Sequence, residues 1–256
     1  MVLLFSIQNE ENKQKRTSSL KLPMRIAIIS DIHSNLEALT KALEIIDRQS
    51  VDEIVCLGDV VGYGANPNEC VELVRQRCDA VIKGNHEDAV ENVSLTEFFN
   101  DDARAAVLWT RKQLTEKNFD YLLTLPLSHK ADDLLFVHAS PCFPAEWHYI
   151  LDDHGASAAF RCFSELICFI GHTHTPEVFS TGGRGSKLAK EERSIINVGS
   201  IGQPRDRNSD LSFGIFDTDT WSYENIRSPY DMHTAARKIL NSTLPPKLGQ
   251  RLLMGV

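Results

Sequence analysis

The sequence predicts an α/β fold, and three observations carry that prediction. Six short runs rich in Ile, Val, Leu and Phe recur along the chain, helical apolar spacing fills the intervals between several of them, and each run stops abruptly at Gly, Asp or His. Short β-branched runs bounded by Gly and polar residues read as buried strands, and in open α/β sheets ligands gather beyond the carboxyl ends of such strands. One shared edge would then hold Asp, Asn and His side chains together.

Residues 1–23 precede the first run, and from about Gln8 to Lys21 they are rich in Lys, Asn, Gln, Glu and Ser, the composition of a flexible N-terminal extension. A single domain is expected from 24 to 256. Its first strand, Arg25-Ile26-Ala27-Ile28-Ile29-Ser30, leads into Asp31-Ile32-His33. Leu36, Leu39, Leu43 and Ile46 then recur at helical spacing, which predicts a crossover helix and a βαβ unit. The second strand, Glu53-Ile54-Val55-Cys56-Leu57, runs into Gly58-Asp59. Asn66-Pro67-Asn68-Glu69 opens a second helix carrying Val71, Val74 and Cys78 inward, with Pro67 suited to its first turn. Ala80-Val81-Ile82-Lys83 leads to Gly84-Asn85-His86-Glu87.

Residues 89–133 hold no such strand-end motif. Phe98, Ala105, Leu108, Trp109 and Leu114 predict two or more amphipathic helices there, forming either a small cap over the strand edge or a plain layer against the sheet. Pro126 ends the last of them, because proline interrupts a helix, and an extended segment follows. Leu134-Leu135-Phe136-Val137 reaches His138, Leu166-Ile167-Cys168-Phe169-Ile170 reaches Gly171-His172-Thr173-His174, and Ile195-Ile196-Asn197-Val198 reaches Gly199-Ser200. Residues 180–193 predict a mobile, glycine-containing loop between two strands, whose basic residues face either solvent or a substrate's distal phosphates. Residues 211–217 alternate as a late strand, 231–241 read as a helix, and the stretch from Leu244-Pro245-Pro246 onward reads as a tail without assigned order.

A lone His or Asp at a strand end is an ordinary loop residue, but the joint pattern is not. Burying several carboxylates and imidazoles in one place is costly unless something pairs them, and a divalent ion satisfies all of them at once. Oxygen and imidazole nitrogen without thiolate suit Mn, Fe, Co, Ni or Zn in an open, catalytic site rather than a structural zinc staple. Asp31 and His33 are one residue apart, so an extended segment would point both side chains to one side. His172 and His174 repeat that spacing and, if their rings diverge, can serve two neighbouring ions, while Gly171 lets the backbone turn closely past them. Asp59 is the only carboxylate of its turn and has lone pairs enough to bridge two ions.

These residues resemble the calcineurin-like metallophosphoesterases, and in particular their small bacterial phosphodiesterase-type branch. The family pattern is D-x-H, G-D, G-N-H-[DE], an isolated H, and G-H-x-H. Asp31 with His33, Gly58-Asp59, Gly84-Asn85-His86-Glu87, His138 and Gly171-His172-Thr173-His174 supply all five blocks in order, across most of the stretch from Met24 to about Ser200. The resemblance implies a four-layer α/β/β/α sandwich of two mixed sheets flanked by helices. It implies one ion held by Asp31, His33, Asp59 and His174, a second held by Asp59, Asn85, His138 and His172, and His86 as a catalytic non-ligand at the scissile phosphate or its leaving group. The reverse assignment, with His86 on metal and Asn85 turning the chain, is also compatible with the spacing.

Two divalent ions about 3.5–4 Å apart clamp a phosphoryl group and lower the pKa of a bridging water to near neutrality, so the expected reaction is phosphoester hydrolysis by attack of that hydroxide. The substrate is expected to be a small phosphodiester, or another nucleotide-type phosphate ester such as a monoester or dinucleoside polyphosphate. Two ions, two carboxylates and one hydroxide leave a net positive centre, although the whole chain carries −8 at pH 7. Opposite the nucleophile, the His86 imidazole is suited to protonate the departing alkoxide. Asn35 and Arg205 are the substrate-binding candidates. Asn35 stands where it either faces phosphate or caps the helix starting at Leu36, and Arg205, in Gly199-Ser200-Ile201-Gly202-Gln203-Pro204-Arg205, can fork onto phosphate oxygens.

One departure bears on the substrate. The protein serine/threonine phosphatase branch reads G-D-x-V-D-R-G in its second block, with an Asp that orients the catalytic His and an Arg that grips phosphate. Here Gly62 and Tyr63 replace that pair, so protein phosphatase activity is not expected. His86 must be oriented by something else, with Glu87, Asp88 or a backbone carbonyl as candidates, and Tyr63 either lines the pocket or packs on its loop.

The acidic balance disfavours bulk nucleic acid binding, which needs basic surface. No apolar run approaches the eighteen or so residues of a membrane span, and Met1-Val2-Leu3-Leu4-Phe5-Ser6-Ile7 is too short for a signal segment. Cys56, Cys70, Cys78, Cys142, Cys162 and Cys168 form no C-x-x-C pair and several sit in apolar runs, as reduced thiols do, which points to the cytoplasm. Nothing in the chain indicates its oligomeric state. Two other readings use the same residues. A noncatalytic interaction scaffold on this fold, as in a retromer subunit, typically loses the catalytic His that this chain keeps at His86. A dinuclear iron oxygen enzyme needs paired E-x-x-H helix motifs, which are absent at suitable sites.

Overall fold

The computed structural model describes residues 24–182 and 188–256, so the expected extension at 1–23 and the centre of the 180–193 loop lie outside the described residues. In chain order the elements are β1 (Arg25–Ile29), α1 (Leu36–Ile46), β2 (Glu53–Cys56), α2 (Pro67–Arg77), β3 (Ala80–Val81), α3 (Asn85–Glu91), a 3-10 turn (Val93–Phe98), α4 (Asp101–Gln113), α5 (Glu116–Leu123), β4 (Ser128–Ala131), β5 (Leu134–Val137), a second 3-10 turn (Pro144–Glu146), α6 (Asp153–Ala159), β6 (Ile167–Ile170), β7 (Glu177–Ser180), β8 (Ser194–Asn197), β9 (Leu211–Asp217), β10 (Ser222–Ser228), α7 (Met232–Leu240) and α8 (Pro246–Met254).

The strands form two five-stranded sheets, ordered β10-β9-β1-β2-β3 and β4-β5-β6-β8-β7. Both are mixed. β1, β2 and β3 run parallel, as do β5, β6 and β8, while β9, β10, β4 and β7 are antiparallel additions. Alternation along the strands explains the continuous apolar runs. Ile26 and Ile28 of β1 join Val55, Phe136, Phe169 and Phe216 in a core between the sheets. Ala27 and Ile29 point the other way, into a core with Leu39, Val71, Ala103 and Leu248 of the helices. Leu135 and Cys168 do the same on the far sheet, against Ala156 and Ala159 of α6. Strands covered on both faces have no polar side to show. The expected four-layer sandwich is what forms.

Local signals place the helices. Asn35 caps α1 by accepting from the Ala38 N–H, Pro67 stands at the start of α2, and Asp231 caps α7. Two expectations need correction. The stretch after Leu244 is α8, because Pro246 starts that helix rather than breaking it, and Leu248 and Leu252 bury one face. Within 89–133 the inward face is Ala103, Ala106, Val107 and Thr110 of α4, a layer on the first sheet's helices, whereas Phe98 is 87% exposed. The small residues carry the packing of α4, with Trp109 and Leu114 half-buried against the same core. Finally, Cys142 and Cys162 are joined in a disulfide, so the reduced-thiol reading holds only for Cys56, Cys70, Cys78 and Cys168. Among the described residues no helix is long and apolar enough to cross a membrane.

Candidate metal centre

The parallel strands of both sheets deliver their carboxyl-terminal loops to one place. Asp31 and His33 follow β1, Asp59 follows β2, Asn85 and His86 open α3, His138 follows β5, and His172 and His174 follow β6. Seven of these eight are buried, with His172 the most accessible of the seven at 5%, and Asn85 is half-buried. Hydrogen bonds between the loops hold them together. Asp31 N–H donates to Gly58 O, His33 N–H to Asp59 O and Gly171 N–H to His138 O.

The ligand-bearing backbone is not extended. Asp31, His33, Asp59, His172 and His174 have φ of 53°, 50°, 50°, 66° and 63°. The expectation that Asp31 and His33 share a side by strand alternation is therefore wrong in its reason, because a left-handed turn brings them together. Each such non-glycine residue costs about 1–2 kcal/mol, and that strain persists only where surrounding contacts hold it.

Backbone carbonyls orient the imidazoles. Nδ1 of His33 lies 3.1 Å from Val61 O, Nδ1 of His138 lies 2.8 Å from Leu57 O, and Nδ1 of His174 lies 2.5 Å from Gln203 O. With Nδ1 as the donor, each Nε2 is left as an acceptor, the tautomer a metal ligand needs. The Nε2 atoms converge on the carboxylates: His174 is 3.2 Å from Asp31 Oδ1, His33 is 3.6 Å from Asp59 Oδ2, and His138 is 3.4 Å from the same Asp59 oxygen. Two groups result, Asp31, His33, Asp59 and His174 in one and Asp59, His138 and His172 in the other, each with ligand atoms within 4.8 Å of one another. Asp59 belongs to both. Asn85 Oδ1 joins the second group at 3.1 Å from His138 Nε2.

A divalent cation fits this donor set. Asp31 Oδ1 and His172 Nε2 are buried without a hydrogen-bond partner among the described residues, and the Nε2 atoms of His33 and His174 face each other at 3.0 Å. Orphaned acceptors and opposed lone pairs are costly until a positive centre stands between them. Electrostatics agree. Burial would raise the Asp31 and Asp59 carboxyls, but the surrounding imidazoles, His174 for Asp31 and His138 for Asp59, hold both below the usual carboxylate range. Burial lowers His33 and His174, and takes His172 down to about 3. His138 goes the other way, to about 9, because Asp59 outweighs its burial.

His86 stands apart from the ligand set. Its backbone N–H donates to Asp59 Oδ1 at 2.8 Å, while its ring packs against Tyr63 at 4.5 Å, His33 at 4.8 Å and Phe99 at 5.3 Å. Nδ1 has no partner among the described residues, so none of the three candidate orienters holds the ring through that nitrogen. Glu87 instead accepts from the backbone N–H groups of Asp59, Val61 and Gly84, stapling two ligand loops together. Asp88 accepts from Trp147 Nε1. The His86 ring is wedged by shape: a Cβ on Gly62, whose φ is 93°, would lie 2.2 Å from His86 Nδ1. Gly62 and Tyr63, which break the protein phosphatase pattern, are the residues that make that wedge. Gly171 is as tightly placed, since its Cβ would meet Asp31 Oδ2 at 2.4 Å.

The two substrate candidates separate. Asn35 is fully engaged in structure: Oδ1 accepts from Ala38 N–H, and Nδ2 donates to Gly202 O at 2.9 Å and to the Tyr230 hydroxyl at 3.1 Å. Arg205 stays at the rim. Its backbone N–H reaches His174 O, its Nη2 donates to Gln203 Oε1 at 3.0 Å, and its Nε is buried without a partner among the described residues. Sequence reading missed Glu87 as a staple and the segment 139–151, whose Trp147 and Tyr149 rings lie on His138 and His172.

Comparison with known proteins matches this arrangement to a family. Residues 24–221 match the calcineurin-like phosphoesterase superfamily domain. The chain belongs to that superfamily. An uncharacterized protein of Methanocaldococcus jannaschii is 41% identical over 240 residues, spanning 90% of this chain and 98% of the relative. The crystal structure of a metallophosphoesterase from Sphaerobacter thermophilus is 38% identical, with a TM-score of 0.81 over 91% of this chain and 99% of that one. A hypothetical protein from Pyrococcus horikoshii shares the fold at 21% identity, with a TM-score of 0.78 over 91% of this chain and 98% of that one. The matched stretch contains every residue of the two ligand groups.

Proposed function

We propose that the chain is a dinuclear-metal phosphoesterase that hydrolyses a phosphodiester or nucleotide-type phosphate ester. The observation that carries the proposal is the sharing of Asp59 by two ligand groups, each otherwise composed of distinct residues. One ion would be held by Asp31, His33, Asp59 and His174, and the other by Asp59, Asn85, His138 and His172. Divalent ions of the Mn, Fe, Co, Ni or Zn type, when bound, supply the Lewis-acid clamp on the phosphoryl oxygens and the acidified water of a two-metal site.

The chain's own residues do the rest. Asp59 orients both the ligand cluster and the backbone of His86. Packed between Tyr63 and Phe99, His86 stands ready to donate a hydrogen bond to the departing oxygen. Its buried ring is neutral at working pH, since burial takes it down to about 4. A neutral imidazole donates from whichever nitrogen carries its proton. Arg205 adds a fixed positive charge on the rim.

The test is turnover of bis(4-nitrophenyl) phosphate, 4-nitrophenyl phosphate, cyclic nucleotides and dinucleoside polyphosphates by protein loaded separately with Mn, Ni and Zn. Turnover that needs metal and favours diesters or nucleotides supports the reading. Protein carrying two equivalents of Mn with no turnover of any of these esters overturns it.

A further inference from the structure

Between β5 and α6 the chain crosses the site as a strap, residues 139–151, that neither the ligand set nor His86 accounts for. It carries Tyr149, whose ring stacks on His172 at 4.0 Å and 21° yet remains 54% exposed. Half-exposed tyrosines on loops are ordinarily free to turn. This one is held at several points. Cys142 is bonded to Cys162 beyond α6, Trp147 Nε1 donates to Asp88 Oδ2 at 3.1 Å, and Ile150 is buried in the core beside α6. Phe143 and Trp147 bend the strap with left-handed φ of 51° and 55°.

An exposed aromatic ring fixed in place beside a reaction centre is a preorganised platform. One face of Tyr149 covers the imidazole whose Nε2 has no protein partner, and the other face meets no second ring among the described residues. Its hydroxyl lies in the field of Arg205, so a flat apolar surface and a guanidinium share the rim. Those two features complement a phosphate ester with one planar, π-rich substituent. A glyceryl or alkyl ester gains nothing from the ring. Stacking a base on an aromatic side chain is sequence-tolerant and strengthens binding by about tenfold or more.

We propose that Tyr149 is a specificity-determining residue that stacks the planar part of the substrate, a nucleobase or aryl group, beside the His172 side of the site. The inference rests on the phosphoesterase reading above and names its substrate class. Isothermal titration of Mn-loaded protein, at constant free Mn, compares adenosine 5′-monophosphate with glycerol 3-phosphate. The wild-type protein is expected to bind the nucleotide about tenfold more tightly. Tyr149→Ala and Tyr149→Leu should each bring that ratio within about twofold of one, and Tyr149→Phe should keep it. A wild-type ratio of one, or a ratio that survives Tyr149→Ala and Tyr149→Leu, overturns the inference. Turnover of the aryl esters, measured in parallel, separates the two proposals: a protein that hydrolyses them but shows no nucleotide preference refutes only the role of Tyr149. A protein that prefers the nucleotide but hydrolyses nothing refutes only the enzyme reading.

Discussion

His33 Nε2 and His174 Nε2 face each other at 3.0 Å although 141 residues separate them in the chain. With Nδ1 of each ring donating to a backbone carbonyl, the two nitrogens oppose lone pair to lone pair. A metal cation bound by both relieves that opposition. Stripping metal with a chelator is therefore expected to lower the melting temperature by several degrees, since a ligand bound only by the native state stabilises it by about 2.7 kcal/mol at one hundred times its Kd. Calorimetry with and without added Mn measures it, and equal melting temperatures would contradict the site.

Asp59→Asn removes the one carboxylate common to both ligand groups. Metal analysis should find both equivalents weakened, with activity falling alongside metal content. Full metal content in this variant would mean Asp59 is not the bridge.

His86→Ala should behave in the opposite way. Both equivalents of metal stay, while turnover falls by about 10²–10³, the range usual for loss of one hydrogen-bond donor to the transition state. The loss should be greatest for esters with poor leaving groups, which a comparison of aryl and alkyl esters reads directly.

Gly62→Ala tests the steric wedge. A Cβ there would lie 2.2 Å from His86 Nδ1, on a backbone with φ of 93°. The substitution should displace the His86 ring, lower kcat more than KM and cost about 1–3 kcal/mol of stability, in the range usual for strain at a special backbone position. An unchanged kcat would show that the glycine does not position the imidazole.

The metal-free protein should be acid-labile. Burial depresses His33, His86, His172 and His174 below the ordinary histidine value of 6.5, with His86 at about 4 and His172 at about 3. These rings take up protons only on unfolding, so the stability they contribute is present above about 6.5 and is lost as pH falls towards 3. His138 has the opposite sign. Raised to about 9, it contributes stability below about 6.5 that fades as pH rises through 9. Glu87, raised to about 7 by burial, also opposes them, since the stability it contributes grows as pH falls through 7, but four groups against two predict a melting temperature that drops between pH 6.5 and 4, which a thermal scan across pH checks.

How much could be read from the chain depended on distance along it. The strands β1, β2, β5, β6, β8 and β9 fall within a residue or two of their expected ends, because covering both faces makes each a continuous apolar run. β10 escaped notice because an edge strand beside solvent alternates with polar residues, and α8 because two prolines resemble a stop. The Cys142–Cys162 bond joins residues with no local signature.

From residue order alone came the six strand ends, the ligand types they offer and hence the family, since spacings such as Asp-x-His and His-x-His are local and survive without coordinates. Packing decided the rest. Which oxygen meets which nitrogen, the wedge of Gly62 and Tyr63 around His86, Glu87 as a staple, Asn35 spent on capping and Tyr149 laid over His172 all depend on loops brought together from opposite sheets. Contacts of that kind are properties of three-dimensional closure, and no periodicity in a linear chain records them.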